Sequence, residues 1–114
     1  MKADLHLHTT ASDGRYSPEE IVSMAASLGL EVIAITDHDS VDGIAPALKK
    51  AQSFPTLKVI PGVEISTDVP HGEVHMLGYF INYVDSGLLD KLAELRDSRK
   101  TRAQKMIAKL ADLG

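Results

Sequence analysis

The chain has 114 residues, 44% of them apolar and 25% charged, with a formal charge of -4, which fits one soluble globular domain over 1–114 and excludes a disordered tail or an overall basic field for nucleic acid. No apolar run approaches the ~20 residues of a membrane span, and patterned sequence begins at once with no signal-peptide core, so a soluble, cytoplasmic protein is expected. With no cysteine, disulfides and thiolate metal sites are excluded, and any metal would be held by imidazole and carboxylate alone.

Asp4-Leu5-His6-Leu7-His8 alternates with period two and predicts a strand. Leu5 and Leu7 then turn to the core and both histidines to the other face, with Cα atoms roughly 6.5 Å apart. One small cation fits between two such rings, although the alternation also suits two hydrogen-bonded surface histidines. Ser12-Asp13-Gly14 ends the strand, and Asp13 read alone is a turn-fixing carboxylate. Ser17-Pro18-Glu19-Glu20 starts a helix that runs to Gly29, with Ser17 as N-cap, Pro18 at the first helical position and Glu20 closing a capping box.

Glu31–Thr36 is apolar and rich in β-branched residues, as in a strand buried on both faces of a parallel sheet. It ends in Asp37-His38-Asp39, three titratable groups where catalytic groups sit in barrels and doubly wound sheets. A second helix, capped by Asp42 or Ser40, extends to about Gln52. Lys58–Ile60 is a third strand, Pro61-Gly62 marks a bulge or turn, and Val63–Ile65 continues it. Glu64 is a carboxylate in an otherwise apolar strand and needs a cation or a donor beside it. Glu73–Phe80 alternates again as a fourth strand, with His75 on the face opposite Val74, Met76 and Phe80. For His38, Glu64 and His75 a capped or paired core residue is the structural alternative.

His71 reads as an exposed turn residue. Between Ser86 and Leu113 apolar residues recur at spacings of three and four, broken at Arg99, which predicts a long amphipathic helix with Gly114 as its stop. The order of elements predicts an α/β fold with a parallel-rich sheet and flanking helices. His6, His8, Asp13, His38, Glu64 and His75 fall at or near the ends of four successive strands, which share one face if the strands are parallel. Six such ligands point to more than one ion of the Zn²⁺, Mn²⁺ or Fe²⁺ kind, and paired ions hold a hydroxide for attack on phosphorus.

The motifs His6-Leu7-His8 with Ser12-Asp13-Gly14, Thr36-Asp37-His38, Pro61-Gly62-Val63-Glu64 and His75-Met76-Leu77-Gly78-Tyr79 occur in this order over residues 3 to about 80. Together they resemble the PHP (polymerase and histidinol phosphatase) family, most closely its small phosphoesterase branch. The resemblance implies a distorted (β/α)7 barrel with metals at the strand ends, of which this chain is the N-terminal portion. It also implies hydrolysis of a phosphomonoester or of a nucleotide or RNA end by metal-bound hydroxide. Carried onto this sequence, His6, His8 and Glu64 hold one metal, Asp13 and His38 a second, and Glu64 bridges to a third held by His75. Asp4, Asp37 and Asp39 match no ligand position and suit hydrogen bonds that orient the imidazoles.

Family members continue for well over another hundred residues, with a further His and a late Asp-x-His pair that complete three metals, whereas His75 is the last histidine here. Six side chains suffice for one well-held ion or two loosely held ones. From Arg96 to Lys109 there are six basic residues and one acid, read as a solvated helix face; Arg99, in the apolar stripe, is placed to reach a phosphate or an acidic partner. Arg15 and Tyr79 are further candidate substrate contacts. Two other readings are a non-catalytic metal-binding or assembly module, self-associating through open sheet edges, and a proofreading 3'-5' exonuclease domain, which the acidic N-terminal half disfavours.

Overall fold

A computed structural model describes residues 2–69 and 72–98 of the chain. The elements are β1 (Ala3–Leu7), α1 (Pro18–Ser27), β2 (Val32–Ile35), α2 (Ile44–Ala51), β3 (Lys58–Val69) and β4 (Gly72–Tyr79), followed by a helix, α3, over residues 86–98. His71, Arg99 and the rest of the expected long helix lie outside the described residues. Among the described residues no helix is long and apolar enough to cross a membrane.

The strands form one sheet in the order β1-β2-β3-β4. β1, β2 and β3 run parallel, as expected for the β-branched β2, three of whose four residues are buried. β4 departs from the expectation: it returns antiparallel to β3, from Val69 opposite Gly72 to Gly62 opposite Tyr79. β3 is correspondingly one continuous strand through Pro61-Gly62, and His75 lies mid-strand opposite Ser66, not at a C-terminal strand end. Alternation is identical in the two directions, so the pattern of residues 73–80 does not distinguish them.

α1 starts as its sequence dictates. The Ser17 hydroxyl accepts the Glu20 N–H at 3.1 Å, and the Glu20 carboxylate accepts the Ser17 N–H at 3.2 Å. Neither Ser40 nor Asp42 caps α2; its N-cap is Gly43, with no side-chain cap, and the Ser40 hydroxyl accepts the Asp42 N–H instead. A side chain is excluded at this cap, because a Cβ on Gly43 would lie 2.8 Å from Thr9 Oγ1 and 3.0 Å from Asp37 Oδ2. α2 thus begins directly against the loops that follow β1 and β2.

The core joins Val22 and Ala25 of α1, Ile44 and Ala47 of α2, and Ile33, Ile35, Val59 and Val63 of the sheet. α3 adds the fully buried Leu92, with Leu88 and Leu95 beside it. Leu5 does not join this core and is 44% exposed. The β1–β2 ladder shifts register between Asp4 and Leu7, and such a bulge interrupts the strict inward-outward alternation. Leu7, past the bulge, packs against the core as expected.

Candidate metal centre

Two loops and three strands bring the titratable residues together. Thr36 N–H donates to the Leu7 carbonyl at 2.8 Å, holding the end of β1 against the end of β2 with His6 and His8 on either side of the contact. Past β2 the parallel pairing with β3 resumes as a bridge between His38 and Glu64, in the register of Ile35 opposite Pro61. Two backbone bonds fix it: Glu64 N–H to the Asp37 carbonyl and Asp39 N–H to the Glu64 carbonyl, each 3.0 Å. His75 arrives from β4.

Glu64 is the hub. Its Oε1 contacts His6 Nε2 and lies 3.4 Å from His8 Nε2. Its Oε2 lies 3.0 Å from His38 Nδ1 and 3.1 Å from His75 Nδ1. Asp13 spans the next gap, 2.8 Å from His8 Nδ1 and 3.2 Å from His38 Nε2. The donors form three triads whose atoms lie within 4.8 Å of one another: His6-His8-Glu64, His8-Asp13-His38 and His38-Glu64-His75. Any two triads share one residue, so three groups are drawn from six side chains.

Two ring nitrogens in this cluster are buried without a hydrogen-bond partner among the described residues, His8 Nε2 and His38 Nδ1. Both face Glu64 oxygens. For His8 the arrangement is explicit: Nδ1–H donates to Asp13, so in the neutral ring Nε2 carries a lone pair aimed at a carboxylate. Two facing acceptors repel unless a positive charge lies between them, either a proton on the ring or a divalent ion.

Glu64 is the buried member of the cluster, its side chain only 5% exposed, while Asp13 is exposed. Burial alone raises the Glu64 pKa, but the hydrogen bond from His6 and the charges of His38, His6 and His8 outweigh it and hold the carboxyl below its ordinary 4.5. Asp13 behaves likewise. Burial raises its pKa, yet the His38 charge and the His8 hydrogen bond bring it below 3.8. Both groups are therefore carboxylates at neutral pH, the form a metal ligand requires.

The remaining candidate residues have other roles. The Asp4 carboxylate accepts the His6 backbone N–H at 3.1 Å, and Asp37 takes its described bonds from Thr9 and Ser12. In these bonds both orient ligand-bearing backbone. Asp39, at φ 47° and fully buried, accepts the Ser66 N–H with Oδ1. Tyr79 donates its hydroxyl to the Leu5 carbonyl at 2.8 Å, so it ties β4 to β1 across the sheet's two ends. Arg15 is exposed. Ser66, whose hydroxyl lies 3.0 Å from His75 Nδ1, and Arg96, whose Nη1 donates to the Asp39 carbonyl at 2.6 Å, were not singled out by pattern. Ser66 has a legible signal, since it sits two residues past Glu64 on the same strand face.

The chain is 42% identical over 108 residues to the 5'-3' exoribonuclease Rnm of Escherichia coli K12, covering 94% of this chain and 37% of that protein. It is 35% identical over 113 residues to a 3',5'-nucleoside bisphosphate phosphatase of Chromobacterium violaceum, covering 97% of this chain and 39% of the relative. A solved amidohydrolase from Chromobacterium violaceum, with bound sulfate, superposes with a TM-score of 0.84 at 33% identity, over all of this chain and 40% of its own. The chain thus spans about two fifths of the length of its relatives. The PHP domain matches residues 4–107, and the chain belongs to the PHP domain family.

Proposed function

We propose that this chain carries a divalent-metal centre for hydrolysis of a phosphate ester, with His6, His8, Asp13, His38, Glu64 and His75 as ligands. The observation that carries the reading is the Glu64 carboxylate at the meeting point of four imidazoles, with the buried His8 Nε2 and His38 Nδ1 facing it and lacking hydrogen bonds among the described residues. An all-imidazole and carboxylate donor set suits Zn²⁺, Mn²⁺ or Fe²⁺. When bound, such ions polarise phosphoryl oxygens and lower the pKa of a coordinated water.

The chain's own residues do the rest. Glu64 and Asp13 enter the site ionised and supply the negative charge that offsets the cations. Asp37 and the His38–Glu64 bridge hold the ligand loops in place through bonds of the chain itself. The substrate class favoured is a ribonucleotide phosphate ester, either a free nucleotide or an RNA end, because the relatives named above are an exoribonuclease and a nucleoside bisphosphate phosphatase.

Elemental analysis of the full chain tests the reading. Wild type is expected to retain divalent metal after desalting, while Glu64→Ala and His8→Ala lose most of it. Equal metal content in all three would overturn the assignment.

A further inference from the structure

One wall of the ligand cluster carries a cation that the six-ligand centre does not use. A cleft of about 420 Å³ opens beside Asp13, His38, Ser66 and His75, and Arg96 completes its lining. Arg96 arrives there through the helix period: the buried stripe of α3 runs through Leu88 and Leu92, and one turn beyond Leu92 on the same face is Arg96. Position 96 thus faces the end of the site and not open solvent alone. Its Nη1 donates to the Asp39 carbonyl, in the segment that carries His38.

The partner of this arginine is a neutral carbonyl. Among the described residues Arg96 forms no direct ion pair, and the carboxylate of the cleft lining is that of Asp13, itself held by His8 and His38. A guanidinium has five N–H donors in a planar fork, and the Asp39 bond uses one of them while fixing the plane. A tether alone needs only a neutral donor; a full charge held at a cleft wall fits an anion. The fork matches phosphoryl oxygens in geometry and charge.

We propose that Arg96 is a substrate-contacting residue that donates to the non-bridging oxygens of the phosphate group in this cleft. The assignment rests on the phosphoester reading of the neighbouring centre. Its chemistry does not require the metal, because a charge-assisted hydrogen bond to phosphate forms with or without an ion nearby.

Titration of the full chain with inorganic phosphate, followed calorimetrically, tests it in Arg96→Gln and Arg96→Lys, with metal content and melting temperature measured on the same samples. Gln removes the charge and, two bonds shorter, gives up the Asp39 bond as well, and is expected to weaken phosphate binding about tenfold or more with metal content unchanged. Lys keeps the charge without the fork and is expected to fall between Gln and wild type. Phosphate affinity equal to wild type in Arg96→Gln, or no phosphate binding by wild type, overturns the proposal. Failure of the metal reading shows separately, as a wild-type chain that binds phosphate but holds no divalent ion.

Discussion

Asp37 and Thr9 are joined at both carboxylate oxygens: Oδ1 accepts the Thr9 backbone N–H at 2.5 Å and Oδ2 accepts the Thr9 hydroxyl at 2.7 Å. Both residues are buried, and Ser12 adds a third bond to Oδ1 at 2.7 Å. The segment so held runs from His8 to Asp13, two of the proposed ligands. Asp37 therefore sets the spacing of ligands from the first loop while its neighbour His38 is itself one. Replacing Asp37 by Asn leaves one acceptor oxygen and removes the charge, and is expected to cost about 2–3 kcal/mol. Metal affinity should fall with it by roughly 10–100-fold, the usual effect of losing a group that orients ligands. Urea denaturation and metal titration of Asp37→Asn check both; wild-type values in each would show that Thr9 and Ser12 hold the loop without it.

Removal of metal should be visible in stability. An ion that binds only the folded chain stabilises it by about 2.7 kcal/mol at a hundred times its Kd. For a domain of this size that corresponds to a melting shift of roughly 10–15 °C. Chelation with EDTA is expected to lower the melting temperature by that order, and Zn²⁺ or Mn²⁺ to restore it. Glu64→Ala should remove most of the difference, since Glu64 belongs to two of the three donor triads and only His8-Asp13-His38 is left intact. A metal-dependent shift of wild-type size in Glu64→Ala would place the ion elsewhere.

Legibility in the sequence followed the range of the interaction. The α1 capping box is written within four residues and forms as read, and the buried β2 follows from its β-branched run. The six candidate ligands were also legible, because histidines and carboxylates at strand ends have few structural uses in such number. What the pattern did not carry depends on distant partners. The antiparallel return of β4 and the exposure of Leu5 depend on pairing register, which alternation leaves open. Arg96 meets Asp39 across 57 positions, and nothing in its neighbourhood distinguishes it from Arg99. The α2 cap is Gly43 and not Ser40 or Asp42, and Thr9 and Asp37, which leave no room for a side chain there, are residues that no local rule brings to that helix.

The α1 cap separates stability from the site. Ser17→Ala removes one acceptor for an exposed helix N–H and frees its partner Glu20, at a cost of about 1 kcal/mol. Ser17 and Glu20 contact none of the ligands in their described hydrogen bonds. The expected result is a melting temperature lower by roughly 4–5 °C with unchanged metal content. Loss of metal in Ser17→Ala would mean that α1 supports the ligand loop more directly than its cap bonds show.

Gly62 is the point where β3 leaves β2 and takes up β4, for Pro61 pairs with Ile35 and Gly62 with Tyr79. A Cβ there would lie 2.8 Å from the Gly78 carbonyl oxygen and 2.9 Å from Thr36 Cγ2. The first is backbone of the paired strand and the second belongs to a fully buried side chain, so neither yields easily. Gly62→Ala must spread β3 from one neighbour or the other, with an expected cost of about 1–3 kcal/mol. Because Glu64 is two residues further along the same strand, the displacement reaches the hub of the cluster. Gly62→Ala is therefore expected to lose metal affinity as well as stability, unlike Ser17→Ala at comparable destabilisation. Calorimetric melting and metal titration of the two variants side by side check this, and parallel behaviour of the pair would show that strand spacing at Gly62 does not set the position of Glu64.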